Sequence, residues 1–265
     1  MDDFEVGLDI YLVSGDQPEI STTFIDVYPY LRAEISVVED QLKAYAQIDG
    51  SKKVNSFREL TGINPFITST PEILNTEEQN RFLDGLTGSV SGFNFNVEAS
   101  YSYNSNLPLF VNDTSTILQN KFQVIYDDVN LLNIKGSVGL LKVNNLHAHL
   151  ILALNGYNPK NEDKAWHLPS YEVGLDAGYT IKERYIINGY FIVLGARYAR
   201  DFDETGEISV KLKPAVDLNL GFEYRITPKI SAFASVNNLL NQHYQRWYQY
   251  PVQGIQGMIG GKFSF

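Results

Sequence analysis

Hydrophobic and polar side chains alternate along most of this 265-residue chain. The clearest stretch is VDLNLGFEYRI, in which one side carries Val216, Leu218, Leu220, Phe222, Tyr224 and Ile226 and the other carries Asp217, Asn219, Glu223 and Arg225. Successive side chains of a strand point to opposite faces of a sheet, so this period of two predicts strands with one apolar and one polar face. The pattern recurs in FEVGLDIYL near the start and in GIQGMIGGKFSF at the end.

The alternating stretches and the turn residues between them predict twelve strands. Their approximate ranges are 3–13, 22–36, 40–49, 79–90, 92–104, 119–142, 145–157, 168–181, 185–200, 207–226, 229–238 and 252–265. Short connections, such as Val143–Asn144, alternate with long ones, such as Val13–Thr22 and Asn104–Leu118. Helical periodicity is weak, and only TPEILNTEEQNRF, with Thr70 as N-cap before Pro71, predicts a short loop helix.

Two architectures fit this alternation. A soluble sandwich turns its apolar face inward, whereas a membrane barrel turns it outward into lipid. Charged and amide side chains at mid-strand, and tyrosines near the ends of the apolar faces, favour the barrel. We therefore predict an all-β fold over residues 1–265, a single antiparallel transmembrane β-barrel of about twelve strands with short periplasmic turns and long extracellular loops. The polar residues expected to face its lumen are Glu172, Asp176, Asp217, Glu223, Arg225, His147 and His149.

Composition narrows the function classes. The net charge of −10 argues against a nucleic-acid partner, because phosphate binding needs a basic surface. The absence of cysteine excludes disulfides and thiolate metal sites. The start, MDDFEVGLDI, has neither a basic nor an apolar signal segment, so no signal peptide is expected.

Candidate chemistry is sparse. His147 and His149 share one strand face, but a metal site needs further ligands, so bonds to water and neighbouring strands are the favoured interpretation. DFDETG, at Asp201–Gly206, resembles the start of a calcium loop, but Leu212 stands where the loop needs a carboxylate. No nucleophile elbow and no phosphate-cradling glycine loop occurs. We expect no metal, no cofactor and no enzymatic activity.

Aromatic side chains cluster in the predicted long loops. They are Trp166, His167, Tyr244, Trp247, Tyr248 and Tyr250. Exposed on loops, they could stack on a sugar, a siderophore or a cobalamin-like ligand. The alternative is an aromatic belt and packing within the loops.

Four stretches carry a family resemblance. Gly260, Phe263 and Phe265 match the C-terminal signal read by the outer-membrane barrel assembly machinery, although Met258 stands where a polar residue is preferred. ISAFASVNNLLNQHYQRWYQYPVQG resembles the end of TonB-dependent receptors. The matching residues are Asn238, Leu239, Tyr244, Tyr250, Pro251 and Gly254. AWHLPSYEVGLDAGY and LKPAVDLNLGFEYRITPK are similar to such receptors in Bacteroidetes-like bacteria.

The resemblance implies a cell outer-membrane protein that takes up a scarce nutrient such as a siderophore, cobalamin or glycan. Its implied partners are outer-membrane lipid, the barrel assembly machinery and, only through a plug domain, the TonB complex. Complete receptors of this family add an N-terminal plug to a barrel of about twenty-two strands. The chain is therefore expected to be the C-terminal portion of a receptor barrel, without the plug. A standalone plug-free pore or structural barrel and a soluble β-sandwich binding module remain alternatives.

Overall fold

The computed structural model describes residues 3–17, 20–115, 118–140, 145–204 and 206–265. The predicted turn at Val143–Asn144 and Thr205 of the acidic hairpin lie outside these residues. Sixteen strands and one helix form within the described ranges. They are β1 (Asp3–Gln17), β2 (Ile20–Val38), β3 (Leu42–Lys53), α1 (Phe57–Ile63), β4 (Thr76–Val90), β5 (Phe93–Asn112), β6 (Phe122–Leu140), β7 (Leu146–Pro159), β8 (Tyr171–Ile181), β9 (Tyr185–Leu194), β10 (Arg197–Asp203), β11 (Gly206–Leu212), β12 (Ala215–Thr227), β13 (Ile230–Asn237), β14 (Gln245–Trp247), β15 (Tyr250–Pro251) and β16 (Gln256–Phe263).

Twelve of these strands form one sheet in the order β1-β2-β3-β4-β5-β6-β7-β8-β9-β12-β13-β16. Neighbours in the sheet follow the chain order, with antiparallel registers such as Leu220 opposite Val236 in β13 and Gly189 in β9. The other four strands form two separate hairpins, β10–β11 and β14–β15. The prediction of about twelve antiparallel strands is confirmed.

The apolar strand faces are the exposed faces. In β1, Phe4, Val6 and Leu8 are 66%, 70% and 65% exposed, and Leu220 and Phe222 of β12 are also exposed. A soluble sandwich would bury these side chains in its core, because large contiguous apolar patches are rare on soluble surfaces. The exposed apolar face and the long antiparallel strands are those of a transmembrane β-barrel. The sandwich alternative is therefore wrong.

Two predicted strands divide where they leave the sheet. The predicted strand 185–200 ends at Leu194 in β9, and the predicted strand 207–226 enters the sheet only at Ala215 in β12. Between them lies the β10–β11 hairpin. A β-carbon at Gly195 would lie 2.5 Å from the Tyr171 ring, so the chain passes close to β8 there. Pro214 has no N–H to continue a ladder, so the sheet strand restarts after it.

Two predicted loops are shorter than expected. Pairing of β1 with β2 continues through Ser14 opposite Thr23 to Gln17 opposite Ile20, so most of the predicted loop Val13–Thr22 is strand. Likewise, β5 extends to Asn112. Polar composition predicts loops here, but a hairpin ladder satisfies the backbone donors and acceptors equally well outside the membrane.

The predicted helix at Thr70 is wrong. The helix of this connection is α1, which begins after Ser56, whose hydroxyl oxygen accepts the Glu59 N–H at 3.3 Å and donates to the Glu59 carboxylate at 3.1 Å. This capping box is the stronger start signal. Thr76 instead opens β4, because its hydroxyl donates to the Asn106 carbonyl at 2.9 Å. No helix in the described ranges has the length and hydrophobicity to cross a membrane.

The chain forms two compact units. The first comprises Met1–Leu86, Glu98–Asn133 and Gly156–Ala165, and the second comprises Thr87–Val97, Ile134–Asn155 and Trp166–Phe265. In the first unit, loop residues pack on the ends of β5 and β6, where Phe122 is fully buried and pairs with Ile67. In the second unit, the fully buried side chains Trp166 and Arg197 also lie outside the twelve-stranded sheet. Each unit therefore has a buried core in its long loops.

Candidate ligand-capture site in the long loops

Three loop segments of the second unit meet around His167. The His167 N–H donates to the Tyr198 carbonyl at 2.8 Å, which ties the segment before β8 to the β10–β11 hairpin. The Nε2 atom of His167 accepts the Tyr248 N–H at 3.2 Å, and the ring lies 5.1 Å from that of Trp247. His167 thus joins all three segments.

The predicted loop aromatics divide into two groups. Trp166, His167 and Trp247 are 0%, 5% and 7% exposed, so the expectation that they present open stacking surfaces is wrong. The packing free energy of bulky rings favours enclosing them where three segments converge. Tyr244, Tyr248 and Tyr250 are half-buried, and the first two line a cavity.

This cavity, of about 440 Å³, lies between the β10–β11 hairpin and the loop that precedes β16. Its lining residues are Val210, Lys211, Leu212, Lys213, Pro214, Gln242, His243, Tyr244, Gln245 and Tyr248. Two lysines, a histidine, two glutamine amides and two tyrosines thus surround one space, and none of the lining residues is acidic. Such a wall suits an anionic, oxygen-rich ligand.

Carboxylates behind the wall hold the two tyrosines. The Tyr244 hydroxyl donates to Asp217 Oδ2 at 3.1 Å, and the Tyr248 hydroxyl donates to Asp201 Oδ2 at 2.7 Å. Burial, together with the charge of Asp217 and this hydrogen bond, raises the pKa of Tyr244 to about 12. The hydrogen bond to Asp201, with burial, also raises the pKa of Tyr248. Both hydroxyls therefore stay protonated at neutral pH.

A buried guanidinium supports the same wall. Arg197 is 1% exposed, and its Nη1 and Nη2 atoms donate to the carbonyls of Arg246 at 3.1 Å and Lys213 at 3.3 Å. In the part of the chain that the structure describes, its Nε atom has no hydrogen-bond partner. Burial and the charge of Arg246 lower the pKa of Arg197. A cation without a carboxylate partner adds positive potential to the loop core.

The residues of the family resemblance organise the loop from Asn238 to Gly254. Asn238 is buried, and its Nδ2 atom donates to the carbonyls of Gln242 and Gln253, both at 2.8 Å. Tyr244 is further held because its carbonyl accepts the Val252 N–H at 2.9 Å. These bonds close the loop that carries half of the cavity wall.

The polar residues expected to face the lumen have different surroundings. His147 lies 3.3 Å from Asp176, and His149 faces Asp176 across the β7–β8 pair. Among the described residues, no group of three His, Asp or Glu side chains is arranged to hold a metal. Asp217 belongs to the loop site, whereas Glu223 and Arg225 line a cavity at the short-turn end of the sheet, and Glu172 is exposed. Their orientation toward a lumen remains a prediction.

The predicted assembly-signal residues lie on β16 and just after it. A β-carbon at Gly260 would lie 2.6 Å from the Phe233 ring of β13, so glycine leaves room for that ring. Phe263 and Phe265 are exposed, with ring centroids 6.4 Å apart. The exposed rings suit an interface with lipid or with another protein.

Sequence reasoning missed the cationic members of the site. They are Lys211, Lys213, His243 and Arg197. The usable signal was KLKP: two lysines at alternate positions before a proline share one strand face at the point where a strand must end. No local pattern distinguishes Arg197, because its burial depends on residues about fifty positions away.

The twelve-stranded antiparallel sheet, its exposed apolar faces and its long loops define the fold class as a transmembrane β-barrel. No protein-family model matches the chain, and no curated protein matches it. Solved structures do match, and these neighbours are TonB-dependent receptors.

Three of these structures illustrate the likeness. The pyoverdine outer membrane receptor FpvA from Pseudomonas aeruginosa PAO1 has a TM-score of 0.69 at 14% identity, covering 98% of this chain and 40% of that one. The ferric-catecholate import receptor Fiu from E. coli K12 has a TM-score of 0.68 at 13% identity, covering 99% and 42%. The copper transporter OprC has a TM-score of 0.64 at 16% identity, covering 100% and 45%. The chain therefore spans less than half the length of these structures.

Proposed function

We propose that this chain is part of the barrel of an outer-membrane transport receptor that captures a scarce nutrient for TonB-dependent import, and that it is not an enzyme. The observation that carries the proposal is the cationic cavity in the long loops of a receptor-type barrel. The structural neighbours include a pyoverdine receptor, a ferric-catecholate import receptor and a copper transporter, which supports a small nutrient linked to iron or another metal.

Within this proposal, the side chains that line the cavity favour one chemical class of nutrient. Lys211, Lys213 and His243 would bind anionic oxygens, while Gln242 and Gln245 donate further hydrogen bonds. This favours an anionic, oxygen-rich siderophore-like ligand over a neutral glycan or cobalamin. Tyr244 and Tyr248 contribute ring faces, with their hydroxyls fixed by carboxylates.

The proposal extends to location and partners. The protein lies in the cell outer membrane with lipid around its apolar face, and Gly260, Phe263 and Phe265 are read by the barrel assembly machinery. The coverage of the neighbours supports a portion of a larger receptor barrel, and the resemblance of the last strand to the assembly signal supports the C-terminal portion. The TonB complex then acts through a plug outside these residues. The stretches AWHLPSYEVGLDAGY and LKPAVDLNLGFEYRITPK support a Bacteroidetes-like parent receptor.

The test is ligand binding by the protein folded in detergent. A ferric-catecholate probe is titrated while the fluorescence of Trp166 and Trp247 is followed. Replacing Lys211 and Lys213 together with alanine should weaken binding by roughly tenfold to a hundredfold, because each charged hydrogen bond contributes about 1.5–3 kcal/mol in part-buried sites and less where exposed.

A double alanine variant of Lys53 and Arg58 in the first unit is the control, since it removes the same charge elsewhere. Equal weakening by both variants would show attraction by net charge alone and would contradict the site. If the wild type does not bind the probe and instead gives steady conductance steps in planar bilayers, the plug-free pore is the better function.

A further inference from the structure

Positive charge is concentrated at the short-turn end of the second unit. A cavity of about 520 Å³ there is lined by five cationic and two acidic side chains, although the whole chain carries a net charge of −10. The cations are Lys182, Arg184, Arg225, Lys229 and Lys262, and the acids are Glu183 and Glu223. This group is called the rim cluster below.

Three neighbouring structural features fix the rim cluster. Lys182 and Arg184 lie in the turn between β8 and β9, and the Arg184 carbonyl accepts the Arg225 N–H of β12 at 2.8 Å. Lys229 lies in the turn between β12 and β13, and its carbonyl accepts the Ser264 N–H at 2.8 Å. Lys262 of β16 faces Ser231 of β13 in register. Backbone hydrogen bonds therefore bring the residues of the rim cluster together, so the grouping of the cations does not depend on the side-chain rotamers.

The five cations lack carboxylate partners. Within the ranges that the structure describes, none of them lies within 4.0 Å of a carboxylate oxygen, although Glu183 and Glu223 line the same cavity. Like charges held around one opening repel each other, so an anion that enters the cavity relieves this cost. The chemistry required of the occupant is negative charge.

An exposed apolar surface borders the same cavity. Ile226 and Ile230 line it and are 50% and 43% exposed. Next to them, the ring of Tyr185 stacks on those of Tyr224 at 5.0 Å and Phe222 at 6.4 Å. Tyr185 is exposed and Tyr224 is half-buried, and tyrosines are enriched at the boundary between membrane hydrocarbon and headgroups. The stacked rings lie on the face of β12 opposite to Glu223 and Arg225. An occupant therefore meets this apolar surface together with the cations of the turns, which are Lys182, Arg184 and Lys229.

We propose that the turn cations of the rim cluster, Lys182, Arg184 and Lys229, bind the phosphate headgroup of an anionic phospholipid, whose acyl chains lie along Ile226, Ile230 and the stacked rings. A soluble acidic peptide would be attracted by the charge alone, whereas a lipid uses both surfaces. Cations near a membrane surface each strengthen binding of anionic lipid. This site goes beyond nutrient capture and does not depend on the nutrient, since it lies at the opposite end of β12 from Asp217 and Tyr244.

The experiment measures lipid retention by the full chain. The protein is folded in detergent, mixed with equal amounts of phosphatidylglycerol and phosphatidylcholine of identical acyl chains, and bound lipid is counted by native mass spectrometry. We expect the wild type to retain phosphatidylglycerol preferentially. A Lys182→Gln/Lys229→Gln variant should bind it about tenfold less tightly, whereas the charge-matched Lys53→Gln/Arg58→Gln variant should bind as the wild type does.

Heat-modifiable gel migration checks that each variant is folded, and the wild-type preference itself tests the proposal without any variant. Equal retention of the two lipids by the wild type would overturn it. Equal losses of phosphatidylglycerol binding in the two variants would also overturn the proposal. Displacement of the bound phosphatidylglycerol by inorganic phosphate or by an oligoglutamate peptide at low concentration would assign the site to a soluble anion or an acidic peptide instead. Ferric-catecholate binding is measured in parallel, so failure of the lipid site is distinguishable from failure of the nutrient site.

Discussion

A pair of arginine substitutions on adjacent residues of β12 tests which face of the sheet meets lipid. Leu220 is the sixth residue of this thirteen-residue strand, lies on the apolar face and is 42% exposed. Gly221 points to the other face, and a β-carbon there would meet no heavy atom within 4 Å. Its neighbours across the sheet, Ser235 and Asn188, are polar. Arginine at position 221 therefore has room and polar surroundings, whereas arginine at position 220 has neither water nor a partner.

Leu220→Arg places a cation near the middle of a membrane-spanning strand, where its cost is about 2–4 kcal/mol. That corresponds to a loss of roughly 30-fold to a thousandfold in the ratio of folded to unfolded protein. Gly221→Arg places the same charged side chain on the polar face, so we expect a change within about 1 kcal/mol. Both variants gain one positive charge, so the difference between them cancels the effect of net charge.

The assay is equilibrium unfolding by urea in phosphatidylcholine vesicles, followed by tryptophan fluorescence. The midpoint of Leu220→Arg should fall well below that of the wild type, while that of Gly221→Arg should stay close to it. If both variants lose the same stability, or if Gly221→Arg loses more, the apolar face does not meet lipid and the assignment of faces is refuted.

The remaining predictions concern the loop core, the last strand pair and a turn. Because the pKa of Tyr244 is raised from 10.0 to about 12, its protonated hydroxyl stabilises the fold fully below pH 10, and this stabilisation is lost as the pH rises toward 12. Tyrosinate absorbance and proteolysis of the loop should both report this loss, and Tyr244→Phe should abolish the pH dependence. Gly260→Ala should destabilise the β13–β16 pair by more than about 1 kcal/mol through its clash with Phe233, whereas Gly257→Ala, which has open space, should be nearly neutral by urea midpoint. Glu183→Gly should stabilise by about 1 kcal/mol, since φ is 57° at this turn position; an unchanged or lower urea midpoint would contradict that.

The candidate site is only partly predictable from the sequence. The tyrosines at 244 and 248 are predicted and do line the cavity, but as rings held by carboxylates. Trp166 and Trp247 are predicted by residue type alone, and their burial reverses the role expected of them. The sequence shows which loops contain aromatic residues. It does not show whether other loops bury those residues.

The sequence by itself determined the strand order and the two faces of the sheet. A period of two is a local property, because backbone geometry sends neighbouring side chains to opposite faces whatever the chain meets later. For that reason the alternation alone assigns Leu220 and Phe222 to the apolar face, and both side chains are exposed in the folded chain. The capping box at Ser56 is equally local, but the sequence prediction placed the helix after Thr70 and so missed α1.

Only the tertiary structure decided where the chain leaves the sheet and what its loops enclose. The break at Gly195 depends on the Tyr171 ring, and the burial of Arg197 depends on the carbonyls of Arg246 and Lys213. The rim cluster, too, exists because three separate turns and strand ends share one edge. These contacts join residues far apart in the chain. Their free energies depend on packing and strand register, so no periodic pattern in the sequence predicts them.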